Sequence, residues 1–324
     1  VPRYDLMNEA EFIETNFLIN KNKAIFDNGI APEEAGIWAI NEMLTGTNRI
    51  FGDPAKSSPG NPNIEQYNPY NMPVKELIDP ATGKINPEAK LMYHYDWLDE
   101  ATAKNPLRQD YLLNISGGNN KTKYLASLGY LNEDGILKNT SFERITGRLN
   151  IDSEIKEWLK MGASTNFAYS KQYGSNMSNV WESAAGMGPI YPVYELDENY
   201  KPKIGSDGKK VFDYGKDTRP TAAIPDFNSI ATLFDDIYEK KADNLSARGF
   251  MEVGFKGEKY GFLNGFSLAV NIGFDNVNTR TMTYYNPLFG NAVDAKGRLN
   301  KQANRLFSYT FNQLLKYALR FIKV

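Results

Sequence analysis

His94 is the single histidine in this sequence, so any imidazole base or Ser-His-Asp relay must run through it. It lies among Tyr93, Tyr95 and Trp97 in a stretch that reads as loop, and general acid–base work needs a base held by a partner. A structural role is expected. Asp235-Asp236 and Asp197-Glu198 are paired acids, but the carboxylates of a glycoside hydrolase face each other across a scissile bond, which adjacent residues rarely do. Both pairs read as solvated loop charge. Asn132-Glu133-Asp134-Gly135 and Ser206-Asp207-Gly208 share acids and glycine with calcium loops, yet neither alternates its ligands nor closes on a glutamate. With no cysteine, thiolate metal sites and disulfides are excluded. Gly254, Gly257, Gly261 and Gly265 lie between strands rather than between a strand and a helix, so they mark turns and not a phosphate loop. No catalytic residue, metal site or cofactor is assigned.

Binding chemistry has better candidates. Trp181, Tyr191, Tyr194, Tyr200 and Tyr214 fall in one long connection, where aromatic faces can stack on the apolar faces of sugars; packing within the loop is the competing reading. Arg144, Arg148 and Asp152 share one parity of a strand and would point into a channel interior, as plain polar wall or as substrate contacts.

Those positions depend on strands. Residues 109–170 hold four segments in which every second side chain is apolar: Leu113 and Ile115 in the first, then Tyr124, Ala126, Leu128 and Tyr130, then Ile145, Leu149 and Ile151, then Leu159, Met161, Ala163, Phe167 and Tyr169. Period-two alternation means strands with one wet face, and about ten tilted residues also cross a bilayer's hydrocarbon layer. Strands resume at 244–255 and 262–275, where Phe266, Leu268, Val270, Ile272 and Phe274 alternate with Ser267, Ala269, Asn271, Gly273 and Asp275. A last strand opens with Phe307, Tyr309 and Phe311. Gly117-Gly118-Asn119-Asn120 is a hairpin signal.

Before the strands, Asn8 with Glu11 caps a helix carrying Phe12, Ile13 and Phe17. Pro32-Glu33-Glu34 starts a second, running to about Leu44. From Phe51 to Asn86 prolines interrupt every element, and Asn86-Pro87 suggests a further helix start. The chain thus divides into 1–108, a long loop region with short helices; 109–170, four strands; 171–243, a long loop; 244–317, further strands; and an atypical end at 318–324.

The 37 Lys+Arg against 39 Asp+Glu leave a formal net charge of −2, and no basic block points to nucleic acid. No apolar run reaches the ~18 residues of a spanning helix, which excludes a helical membrane protein. The opening Val1-Pro2-Arg3-Tyr4 does not read as an export signal, so the expectation is either that the protein stays inside or that its beginning lies outside the stretch. Connections at 117–121, 154–158 and 256–261 are short, whereas those at 132–142, 171–242 and 276–304 are longer. Outer-membrane barrels pair short periplasmic turns with long extracellular loops in this way. About seven strands would not close such a barrel, and an open edge cannot be left in lipid, so the chain is expected to be part of something larger.

The run Asp96-Trp97-Leu98-Asp99-Glu100, the segment Leu113 to Tyr124 with its Ser116-Gly117-Gly118 hairpin, Ser127-Leu128-Gly129-Tyr130, Glu133-Asp134-Gly135-Ile136 and Arg148-Leu149-Asn150-Ile151-Asp152 resemble the early barrel of the SusC/RagA-type TonB-dependent transporters. Val1-Pro2-Arg3-Tyr4-Asp5-Leu6-Met7 is similar to the start of that family's first extracellular loop, and Thr310 to Leu315 to one of its later strands. The resemblance implies an all-β fold: a partial antiparallel transmembrane β-barrel, about seven strands of a 22-stranded barrel, with long extracellular loops containing short helices. It implies import of glycans or peptides across the Gram-negative outer membrane, with a SusD-like surface lipoprotein as partner and TonB engaged only through an N-terminal plug region not in this stretch. The partners are then an oligosaccharide or peptide ligand and outer-membrane lipid, with no nucleic acid. The plug, most later strands and a family-like ending after Tyr317 are expected to be missing, as in a truncated or frameshifted product that would not transport alone. The alternative is a soluble or surface-attached β-rich carbohydrate-binding module, whose apolar strand face would pack on a second sheet.

Overall fold

A computed structural model describes residues 5–45, 64–174, 177–215, 228–290 and 292–318. Residues 1–4, 51–63 and 319–324, singled out above, lie outside these. The chain forms two compact units: one of 1–104, 175–237 and 284–298, the other of 105–174, 238–283 and 299–324.

In the first unit the cap signals act as read. Asn8 and Glu11 form a reciprocal capping box that opens α1 (Glu9–Phe26), satisfying amide groups that a helix start leaves unpaired. Pro32 opens α2 (Pro32–Thr45). The two helices pack together, and Phe12, Ile13 and Phe17 of α1 and Ala35, Ala39 and Met43 of α2 are all buried. Short helices α3 (Val74–Leu77) and α4 (Trp97–Ala101) follow. The helix expected from Asn86-Pro87 is absent. Asn86 instead holds a turn, its amide donating to the Glu76 carbonyl and its side-chain oxygen accepting from the Glu88 amide; the helix starts ten residues later, where Asp96 caps the Asp99 amide. Further on, α5 (Met177–Gly186) and α6 (Thr232–Asp235) flank a folded arm bridged at Tyr194↔Phe212, Leu196↔Pro202 and Ile204↔Lys210. Tyr191, Ile190, Val193, Ile230 and Leu233 are fully buried here.

The second unit is a seven-stranded sheet in sequential order: β1 (Arg108–Gly118), β2 (Thr122–Asp134), β3 (Ser141–Lys156), β4 (Leu159–Gly174), β5 (Ile237–Gly254), β6 (Phe266–Tyr285) and β7 (Arg298–Tyr317). The outermost strands do not meet, so the sheet is open. The strands run past the expected limits at one end, which shortens the connections there to 135–140, 175–236 and 286–297. The link 135–140 is consequently shorter than 255–265, although each connection at this end is still longer than the turns next to it along the chain. Phe262, expected in β6, belongs to a 3-10 turn (Glu258–Leu263). Gly257, Gly261 and Gly265 take positive φ around it, a conformation open to glycine.

Register converts parity into faces. Tyr111↔Tyr130, Leu113↔Leu128 and Ile115↔Ala126 align between β1 and β2. Tyr124↔Ile151, Ala126↔Leu149 and Tyr130↔Ile145 continue into β3, then Ile145↔Tyr169 and Ile151↔Ala163 into β4, and Phe167↔Leu245 and Met161↔Met251 into β5. A one-residue slip anywhere would throw this apolar set onto the polar face. Among the described residues this set is exposed: Leu113 is 59% exposed, Leu128 63%, Ile272 58% and Phe307 55%. Aromatic pairs close the band at both ends, Tyr111 with Tyr130 and Phe274 with Phe307 at one, Trp158 with Phe255 and Phe266 with Tyr317 at the other. Aromatic girdles flank the apolar band of transmembrane barrels in the same manner.

Candidate functional site

The polar face of the sheet carries a hollow. It has a volume of ≈ 580 Å³ and is lined from β3 to β7 by, among others, Asp152, Ser164, Arg248, Asn271, Asp275 and Asn312. Strands lie about 4.8 Å apart, so a hollow touching five strands is what a sheet curving around its polar face would give. Alternation supplies these side chains: each is the neighbour, in sequence, of an apolar residue on the other face.

Gly162 makes the close packing on this face possible. A methyl group there would meet Asp152 Oδ1 at 2.3 Å and the Phe250 ring at 2.3 Å, so both side chains lie across the bare backbone. Ser164 Oγ donates to Asn150 Oδ1 at 2.7 Å. The hollow thus presents acceptors from Asp152 and Asp275, donors from Arg248, amides and hydroxyls, and the ring of Phe250. Such a surface can hold a polar ligand or polypeptide by hydrogen bonds; it contains no nucleophile paired with a base.

Arg144, Arg148 and Asp152 share this face. Arg144 stands between Leu131 and Ser170, Arg148 between Ser127 and Asn166, and Asp152 between Lys123 and Gly162. Only Asp152 lines the hollow; the arginines follow at four-residue steps, about 13 Å each. Arg248 and Phe250 were missed as candidates, though the parity of Asn244, Ser246, Arg248, Phe250 and Glu252 in β5 carries the signal.

The remaining candidates belong to the helical unit. His94 Nδ1 lies 2.6 Å from Glu9 Oε1, whose side chain is 4% exposed, tying the start of α1 to the segment before α4. Tyr191 is buried, edge-on to Phe12 and Tyr67, and its carbonyl accepts from Trp97 Nε1 at 2.9 Å. Tyr194 is buried with its hydroxyl donating to Glu100, and Lys210 lies over its ring. Desolvation, with Glu100 second, pushes the Tyr194 phenol up and holds Tyr95 at about 12. Tyr200 is exposed at a turn, at φ 59°, its ring stacked 6.0 Å from Tyr93. Trp181 is half-buried on α5. Tyr214 stacks on Phe289 at 3.8 Å and donates to Asp235 Oδ2 at 2.6 Å. Burial raises the Asp235 carboxyl above its ordinary range, against the hydrogen bond from Tyr214 that lowers it. Asp236 accepts from the Asn286 amide, and Asp197 from the amides of Asn199 and Lys201. Asp235-Asp236 is therefore not the solvated pair expected, since Asp236 is buried and Asp235 half-buried where they hold a turn, whereas Asp197-Glu198 is exposed as expected. No group of three or more metal-ligating side chains occurs among the described residues, and no helix among them is long and apolar enough to cross a membrane, which says nothing of crossing by strands.

No family model matches the chain. Among curated proteins it is similar to TonB-dependent receptor P39 of Formosa agariphila, 26% identical over 165 residues (51% of this chain, 15% of that protein). To TonB-dependent receptor P3 of the same organism it is 27% identical over 194 residues (57% and 17%). To TonB-dependent receptor SusC of Bacteroides thetaiotaomicron it is 26% identical over 205 residues (60% and 20%). In fold it is similar to the RagAB peptide importer in its closed-closed state, with TM-score 0.57 and 21% identity, covering 98% of this chain and 30% of that one. The chain therefore spans a fifth or less of the length of these curated relatives. They are receptors rather than enzymes. The family resembled by the Ser116-Gly117-Gly118 hairpin and its flanking strands is the family these proteins represent, and the open seven-stranded sheet matches part of its barrel.

Proposed function

Taking this chain as one of the SusC/RagA type of TonB-dependent transporter, we propose that its sheet is a segment of outer-membrane barrel wall in an importer of glycans or peptides. The observation that carries this reading is the bowed sheet with a polar hollow inside and an uncovered apolar face outside. A sandwich buries its apolar face against a second sheet, whereas among the described residues this face stays exposed. In the barrel, Arg144, Arg148 and Asp152 face the lumen together with Arg248 and Asp275. The long connections lie on the extracellular side, because the shortest turns of such barrels are periplasmic. A SusD-like lipoprotein is the expected partner there, and TonB acts through a plug region outside this stretch. Among the aromatic candidates, Tyr200 has the exposed face that can stack on a sugar, with Trp181 and Tyr214 partly accessible; Tyr191 and Tyr194 position the arm that carries Tyr200.

The test is uptake by cells carrying the complete transporter, set against a deletion strain, with labelled oligosaccharides and labelled oligopeptides offered separately. Uptake of one class should depend on the protein, and Tyr200→Ala should reduce it several-fold without changing its amount in the outer membrane. Uptake of both classes independent of the protein, or recovery of the protein in the soluble fraction, would overturn the reading.

A further inference from the structure

The apolar face of the sheet carries charges that lumen chemistry cannot use. On β4 to β7 the outward parity changes from apolar to ionic at the end bearing the long connections. Beyond Tyr169 stands Lys171; beyond Leu245 stand Asp243, Lys241 and Glu239; beyond Phe274 come Asn276, Asn278 and Arg280; beyond Phe307 comes Arg305. Register sets Lys171 against Lys241 and Tyr169 against Asp243. The row is connected. Glu239 lies 2.7 Å from Lys241 Nζ and 3.5 Å from Lys171 Nζ. Asp243 accepts from Arg280 Nη2 at 2.9 Å and from Asn278 Nδ2 at 2.6 Å, and Arg305 Nε donates to the neutral Asn276 at 3.1 Å. Two carboxylates thus orient three cations, and the Asn276 side-chain oxygen orients the fourth, Arg305. Glu143 of β3 opposes Lys171 in register, and still the cations outnumber the acids on this part of the face. All of these residues belong to the sheet unit.

Charges at this place do not look into a water-filled lumen. If the sheet is barrel wall, as proposed above and on which this inference rests, they stand at the outer rim of the hydrocarbon layer, level with lipid headgroups. Arginine and lysine clusters at that level recognise anionic headgroups, arginine binding phosphate through its planar fork. A doubly engaged Glu239 and a bridging Asp243 hold the cations extended along the sheet rather than folded back on it. We infer that Lys171, Lys241, Arg280 and Arg305 form a binding site for the phosphorylated headgroup of an outer-leaflet glycolipid.

The complete detergent-solubilised transporter is titrated, by native mass spectrometry, with bis-phosphorylated lipid A, with its dephosphorylated counterpart and with inorganic phosphate. The wild type should retain the phosphorylated lipid preferentially, and a Lys171→Gln, Lys241→Gln, Arg280→Gln triple variant should bind it about tenfold or more weakly. Lys123→Gln, which removes a cation from the other face, should bind as wild type, and Lys171→Arg with Lys241→Arg should keep the site. Equal retention of both lipids, saturation by inorganic phosphate alone, or undiminished binding by the triple variant would overturn the site. Failure of the barrel reading itself shows separately, as a nitroxide at position 270 that meets no lipid.

Discussion

Val270 stands midway between Phe266 and Phe274 on the apolar face of β6, and replacing it by arginine puts a charge where the wall should be deepest in hydrocarbon. Four residues at about 3.3 Å each place it about 13 Å along the strand from either end of that run. With a tilt of roughly 40°, this is about 10 Å of depth, near the middle of a ~25 Å apolar band. An arginine there costs ~2–4 kcal/mol, which lowers the folded-to-unfolded ratio roughly 30- to 700-fold. Asn271→Arg, one residue on and at the same depth, enters the polar hollow and should cost less than ~1 kcal/mol, because lumen substitutions leave the lipid face intact. The assay is urea-dependent folding of the complete barrel into lipid vesicles, read by heat-modifiable gel mobility. Equal destabilisation by the two variants, or a larger effect of Asn271→Arg, would refute the assignment of faces.

The helical unit offers two further tests. At Gly36→Ala a Cβ would come within 1.9 Å of the Pro80 carbonyl oxygen and 2.8 Å of its carbon, so α2 must move off the backbone beneath it, at a cost of about 1–3 kcal/mol; faster hydrogen exchange across 32–45 reports it, and unchanged exchange would contradict the packing. Asp235 has a carboxyl raised by burial, so its neutral form is the one the fold prefers. That preference contributes fully below the unfolded pKa and is lost as pH rises through the folded one. Asp235→Asn, which keeps an acceptor for Tyr214, should therefore slow exchange across 228–236 at pH 7, with the gain vanishing near pH ~4; a gain equal at both pH values would contradict it.

The sequence showed plainly what local chemistry dictates. The Asn8/Glu11 box and Pro32 located α1 and α2, because caps act within a few residues. Parity identified the strands and both their faces, since each side chain's environment alternates with the pleat. Strand length was less visible. Residues 171–174, 237–243, 276–285 and 298–306 continue the hydrogen-bond ladder after the apolar alternation has stopped. Greasy periodicity ends where its apolar surroundings end, whereas backbone pairing does not. The turn from Gly257 to Gly265 was misplaced because aromatic Phe262 resembles the strand residues beside it, and only the positive φ of the glycines separates them. For the site, the shared face of Arg144, Arg148 and Asp152 was legible, but the hollow itself depends on curvature gathering β3 to β7. Tyr191 sits in the apolar run Ile190-Tyr191-Pro192-Val193 and Tyr200 among Asp197, Glu198, Asn199 and Lys201; one is core and the other surface, with Phe12, Tyr67 and Trp97 from distant parts of the chain packed on Tyr191.

Nitroxide labels placed singly at each position from 266 to 275 of the complete barrel, reconstituted in bilayers, give the most direct measurement of the wall. Even positions should collide with lipid-soluble oxygen, odd positions with a water-soluble nickel chelate, and the two accessibilities should oscillate out of phase with a period of two. Even positions shielded from both reagents, as beneath a second protein layer, would contradict the account.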